Sequence, residues 1–183
     1  LELIAGNTVY AINALAGTMT AQNVPNAGMV DGMTSLGDLD RDGDMDAIVV
    51  GQNGGGRGVV YAWNIATGTI MGAQFQIDGA ANASGITSSG GIATVADLNN
   101  DGFPEVLVGG RNVLVALTFN VGLGTFSELW SVGSIDNSGR LGCTVFDFEG
   151  DGAMEVVYRD DLVLRVLNGA TGAVRATTTC PSS

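Results

Sequence analysis

The sequence predicts an all-β protein built from repeats, and three observations carry that reading. Three acidic, glycine-centred nonapeptides start at residues 38, 97 and 147, spacings of 59 and 50. A second signature, an apolar run and then a polar turn closed by Gly, recurs out of phase at Gly17, Gly68, Gly124 and Gly172, in steps of 51, 56 and 48. No helix-length window carries a 3.6-residue apolar stripe, whereas short β-branched or aromatic runs bounded by Gly, Asn and Asp are frequent. Two independent signals with one period define a supersecondary unit that stacks on its neighbours.

The central unit divides into four strands. Strand A, Ile92 to Ala96, leads into an acidic loop, and strand B, Glu105 to Val108, stops at Gly109-Gly110. Strand C, Val113 to Phe119, passes through a Gly-bearing turn at 120–125 into strand D, Phe126 to Val132. Strand B segments such as Ala47-Ile48-Val49-Val50 are apolar throughout, which predicts burial on both faces. The first unit opens at Glu2, the ninth position of an acidic loop that lacks its earlier residues, so Leu3 to Gly6 reads as a strand B without a strand A. Four antiparallel strands per unit describe a propeller blade. The expected fold is an all-β, partial β-propeller of about four four-stranded antiparallel blades in one segment over 1–183, the first blade lacking its A strand. The blades are placed at about 1–24, 28–77, 90–132 and 139–180, with a four-bladed ring closed by an outside strand as the alternative. The start on Leu, with no signal-peptide pattern, suggests an excised piece of a longer polypeptide.

The nonapeptides read Asp38-Leu39-Asp40-Arg41-Asp42-Gly43-Asp44-Met45-Asp46, Asp97-Leu98-Asn99-Asn100-Asp101-Gly102-Phe103-Pro104-Glu105 and Asp147-Phe148-Glu149-Gly150-Asp151-Gly152-Ala153-Met154-Glu155. Each has oxygen-bearing side chains at positions 1, 3, 5 and 9 and Gly at position 6. Alternate oxygens on a tight turn converge on one point, which suits a hard cation, and the Gly allows the sharp turn. An EF-hand is disfavoured, because position 12 is Val49, Val108 or Tyr158 where that motif needs a bidentate acid, and the flanks are β-rich. A metal-free turn would have to hold three or four inward carboxylates without a counter-ion, each pair at 4 Å repelling by about 4 kcal/mol at an effective dielectric of about 20.

Composition narrows the function. The formal net charge is −12, and 12 of the 19 acids lie in the nonapeptides. The charge is thus local site chemistry. The seven basic residues are all scattered Arg, so no basic stripe faces a nucleic acid, and no apolar run reaches membrane-span length. With no His and no Lys, the chain lacks the usual general base, His-ligated zinc, Schiff-base chemistry and a phosphate-loop lysine. No catalytic and no organic-cofactor residues are therefore assigned. Cys143 and Cys180 are read as one disulfide closing the last repeat, or as two unpaired thiols.

The three acidic loops and their downstream strands, as in Asp38 to Val50, resemble the FG-GAP/VCBS repeats of integrin α-like β-propellers over nearly the whole chain. That resemblance implies calcium in the A–B hairpin, about three ions in all. Carried over by position, the ligands are Asp38, Asp40, Asp42 and Asp46; Asp97, Asn99, Asp101 and Glu105; and Asp147, Glu149, Asp151 and Glu155. Position-7 carbonyls come from Asp44, Phe103 and Ala153. Loop two has one fewer charged ligand, and loop three carries Glu149 where Asp or Asn is usual.

The resemblance further implies a non-catalytic, secreted or cell-surface module for adhesion, recognition or assembly. A protein or carbohydrate ligand is expected at the end opposite the calcium loops. That end carries Arg57, the 78–91 loop, Arg111, Arg140 and Arg159. Remaining blades or neighbouring subunits are the other expected partners. Trp63 and Trp130 are read as packing residues before sugar platforms. The alternatives are a segment of a calcium-stabilised polysaccharide lyase and a structural subunit of a surface filament.

Overall fold

The computed structural model describes residues 2–22, 31–77 and 90–180. Sixteen strands form four antiparallel sheets, and no helix occurs among the described residues. The first sheet has three strands, β1 (Glu2–Ala5), β2 (Thr8–Asn13) and β3 (Thr18–Gln22). The second contains β4 (Gly32–Gly37), β5 (Asp46–Gln52), β6 (Gly58–Asn64), β7 (Thr69–Ile70) and β8 (Phe75–Gln76). Its outer strand is divided in two, both halves pairing with β6, and Gly72 at φ 109° lies at the break. The third orders β9 (Thr94–Ala96), β10 (Glu105–Gly110), β11 (Val113–Asn120) and β12 (Thr125–Gly133). The fourth orders β13 (Cys143–Phe146), β14 (Glu155–Arg159), β15 (Val163–Asn168) and β16 (Val174–Thr179). The central-unit strands thus fall where the apolar runs placed them. β9 starts two residues later than the pattern suggested; the Ala93 carbonyl there accepts a hydrogen bond from Ser35 Oγ of the preceding sheet (2.6 Å). Residues 78–89 of the long loop and the 23–30 connection lie outside the described residues.

Stacking of these sheets makes the core. β5, β6 and β10 are buried on both faces, as their unbroken apolar runs require. Leu39, Ile48, Val50, Val60 and Ala62 of the second sheet meet Val106, Val108, Val115 and Leu117 of the third. The opposite face of the third, Leu98, Leu107, Leu114 and Ala116, meets Val156, Tyr158 and Leu167 of the fourth. Trp63 and Trp130 are buried, their indole N–H groups donating to Gly6 O (3.3 Å) and Gly169 O (2.7 Å) of the adjacent sheet. They pack between sheets, as expected, and offer no ring to a sugar.

Hydroxyls bridge successive inner strands. Ser35 Oγ donates to Ala93 O, and Thr94 Oγ1, at the equivalent position, donates to Cys143 O (2.9 Å). Close backbone approach is also required. A Cβ on Gly109 would lie 2.4 Å from Leu141 O and 2.6 Å from Leu141 Cβ. Gly109→Ala is expected to destabilise the protein by about 1–3 kcal/mol through overpacking, read as a lower urea midpoint with an unchanged m-value.

Of the two readings left open for the cysteines, the structure has the unpaired thiols. Cys143 and Cys180 are both free thiols. β13 and β16 are opposite edge strands of one four-stranded sheet, and three inter-strand spacings amount to about 14 Å, beyond disulfide reach.

Candidate metal centre

The three acidic loops join β4 to β5, β9 to β10 and β13 to β14, so the repeat puts them at the same hairpin of three consecutive sheets. Their hydrogen bonding is nearly superimposable in kind. The N–H of position 2 donates to the position-9 carboxylate: Leu39 to Asp46 (2.8 Å), Leu98 to Glu105 (2.7 Å), Phe148 to Glu155 (3.1 Å). The N–H of Gly at position 6 donates to position 1: Gly43 to Asp38 (3.1 Å), Gly102 to Asp97 (2.9 Å), Gly152 to Asp147 (2.8 Å). The N–H of position 7 donates to position 5: Asp44 to Asp42 (2.8 Å), Phe103 to Asp101 (2.8 Å), Ala153 to Asp151 (2.9 Å). These bonds wind each loop so that its carboxylates face inward.

The backbone supports the winding at two points. Position 6 has φ of 94°, 87° and 86° in the three loops, a region where Gly is the ready choice. Position 4 is also left-handed, with φ of 60° at Arg41, 64° at Asn100 and 71° at Gly150. In the first two loops its side chain reaches the next loop. The Arg41 guanidinium lies 5.4 Å from the centre of the Phe103 ring, and Asn100 Nδ2 donates to Gly152 O (2.9 Å). The loops therefore touch one another along one end of the stacked sheets. These two contacts were missed from the sequence, where position 4 carried no oxygen pattern.

The residues fit a cation in the first two loops. In loop one, carboxylate oxygens of Asp38, Asp40 and Asp42 lie within 4.8 Å of one another. Asp46 is fully buried, and burial, with Asp40, Asp42 and Asp38 nearby, pushes its carboxyl up from 3.8 to about 6. In loop two, Asp97 Oδ1 is buried without a hydrogen-bond partner, the kind of orphaned acceptor that a bound cation satisfies. Burial, and then the carboxylates of Asp101 and Asp97, raise Glu105, which is itself buried. Asn99 Nδ2 donates to Asp101 and Glu105 (3.0 and 3.1 Å), so Asn99 would have to turn its amide oxygen inward to serve as a ligand.

Loop three differs. Asp147, Glu149 and Glu155 have oxygens within 4.8 Å of one another. Yet Arg175, from β16, pairs with Glu149 (3.0 Å) and makes a short contact with buried Glu155. Asp147 accepts from Gly150, Asp151 and Gly152 N–H groups, and these bonds, that of Gly152 foremost, hold its carboxyl below the usual range.

At the opposite end, the β14–β15 turn is built on buried Asp160. It accepts from Leu162 and Val163 N–H groups and pairs with Arg165 (2.8 Å). Arg159 donates to Cys180 O (3.4 Å), and the Arg57 N–H donates to Asn53 Oδ1 (3.0 Å).

Stacked antiparallel sheets, three of them with one acidic hairpin apiece, define a repeat protein of blade-like units. The FG-GAP-like repeat model matches residues 38–108 and 97–158, and the chain belongs to that family. No curated protein matches the sequence. Among solved structures, an Agrocybe aegerita lectin that recognises non-reducing terminal N-acetylglucosamine is similar at 21% identity and a TM-score of 0.54, over 97% of this chain and 52% of that one. The V. cholerae biofilm matrix protein Bap1 is similar at 18% identity and a TM-score of 0.39, over 91% of this chain and 23% of that one. The chain therefore spans about half of the lectin and about a quarter of Bap1.

Proposed function

We propose that this chain is a non-catalytic, extracellular recognition module, a segment of a β-propeller whose acidic hairpins are fastened by calcium. The observation that carries the reading is the unpartnered, buried Asp97 Oδ1 inside a loop whose hydrogen bonds recur in two other hairpins. The position-1, -3, -5 and -9 side chains would hold the ion. The ion would supply the positive charge that their convergence lacks.

Uncovered positions on the fourth sheet support a partner at that face. Position 2 of the loops is buried as Leu39 and Leu98, yet Phe148 is 58% exposed and stacks edge-to-face on exposed Phe146. Thr144 occupies the place of Ser35 and Thr94 but has no hydroxyl partner among the described residues. A further blade, of this protein or of a neighbouring subunit, would cover the aromatic pair and accept from Thr144.

Binding of glycan or protein is assigned to the turns opposite the acidic hairpins, which carry Arg57, Arg140 and Arg159, and a guanidinium suits carboxylates and sugar hydroxyls. Catalysis is not assigned. Tyr61 and Tyr158 are buried in the sheets, and the chain offers no Lys or His as a base. A glycan array that includes N-acetylglucosamine-terminated and acidic chains, probed in calcium and in chelator, tests the proposal. Retention of a glycan subset without cleavage is expected. Release of unsaturated products from an acidic polysaccharide would replace this reading with a lyase.

A further inference from the structure

We propose that Arg175 supplies the third acidic loop with a cation of its own, so that this loop closes without a metal ion. The contrast rests on reading the first two loops as calcium sites.

Local geometry directs this arginine. β15 and β16 pair Val166 with Ala176 but Leu167 with Val174, which leaves Arg175 as the extra residue of a β-bulge. A bulge re-aims the side chain it carries. The preceding sheet has the same irregularity: Ala116 pairs with Trp130 and Leu117 with Glu128, leaving Leu129 as the extra residue. Leu129, partly buried, packs against the core between the third and fourth sheets. The bulge turns this position toward the face of its sheet in both units, and the fourth sheet fills it with a guanidinium in place of an aliphatic chain.

The loop has a matching departure. Position 3 is Asp40 and Asn99 in the first two loops but Glu149 in the third. The longer side chain reaches Arg175 Nη2 (3.0 Å), while Nη1 takes Glu155, whose side chain is 1% exposed. Two of the four side chains that would hold an ion are thus paired with one planar, permanently charged donor. The other contrast lies at position 1. Asp97 keeps a buried oxygen without a partner, whereas the Asp147 carboxylate accepts three backbone N–H groups. The third loop has the hydrogen bonds of its relatives and a charge already balanced from within.

Calcium equilibrium dialysis on the chain, with calcium alone as the probe, tests this. Wild type is expected to bind two ions. Asp38→Asn and Asp97→Asn should each lose one, Asp147→Asn should lose none, and Arg175→Leu should gain a third. Leucine is the residue at the equivalent bulge, which favours folding of that variant. Three ions in wild type, with one lost in Asp147→Asn, would overturn the inference whether or not Arg175→Leu folds. No binding in wild type would instead remove the calcium reading of the first two loops. Melting in chelator then decides. A lower midpoint for Arg175→Leu that Glu149→Gln partly restores supports the internal cation, and an unchanged midpoint overturns it.

Discussion

Transfer from calcium to chelator is expected to lower the melting temperature by about 6–12 °C. With a dissociation constant of about 10⁻⁴ M, the range of extracellular modules, and about 1 mM calcium, each ion stabilises the fold by about 1.4 kcal/mol. Two such loops give about 3 kcal/mol, and each kcal/mol moves the midpoint by about 2–4 °C in a chain of this size. The loss concentrates at one end of the sheets. Asp38, Asp40 and Asp42 converge there, and Asp97 Oδ1 is left without a partner. Added salt should recover part of the loss in chelator by screening the exposed carboxylates, and little in calcium. Magnesium should substitute poorly, since it demands a stricter octahedral shell. Differential scanning calorimetry in calcium, magnesium and chelator, at low and high salt, reads all of this. Identical midpoints in calcium and chelator would remove the metal from the account.

Strand positions were legible in the sequence because β-branched runs, Gly turns and the acidic loops obey one period. Residues 105–108 and 113–119 read directly as the strands that became β10 and β11. Loop winding was legible for a similar reason, since Gly43, Gly102 and Gly152 mark one of the two places in each loop where the backbone turns left-handed. What the sequence hid were relations between units. Arg41 on Phe103 and Asn100 on Gly152 depend on how far apart stacked sheets hold their hairpins, and no local pattern encodes that distance. The bulge that turns Arg175 toward Glu155 is invisible for the same reason, because it exists only in the register between two strands. Glu149 was the available clue: a longer acid at position 3 implies a partner farther away. The cysteines show the converse. Nearness within one repeat suggested a bridge, yet the antiparallel order places them on opposite edges.

Asp46→Asn should stabilise the protein in chelator and lose most of that advantage in calcium. Asp46 is fully buried, accepts from Leu39 N–H (2.8 Å) and from Asn64 Nδ2 (3.3 Å), and sits among three further carboxylates. Its carboxyl is raised from 3.8 to about 6, chiefly by burial. The folded state therefore holds a proton more tightly than the unfolded chain. Stability of the chelated protein falls as pH rises through that window, and the full cost is present at pH 7. A gap of this size corresponds to about 3 kcal/mol. Asparagine keeps an oxygen for Leu39 and removes the charge, but it gives up the acceptor for Asn64, worth about 1 kcal/mol. In chelator at pH 7 the variant should be more stable than wild type by about 1–2 kcal/mol. At pH below about 4 that advantage should vanish, because Asp46 is then protonated in both states. In calcium that advantage should be largely cancelled: a charged ligand is lost, and with it most of the ion's contribution of about 1.4 kcal/mol. Paired melts of wild type and Asp46→Asn, with and without calcium and at acid and neutral pH, separate the ligand role from a packing role. A carboxylate that served packing alone would give a deficit of one sign under all four conditions.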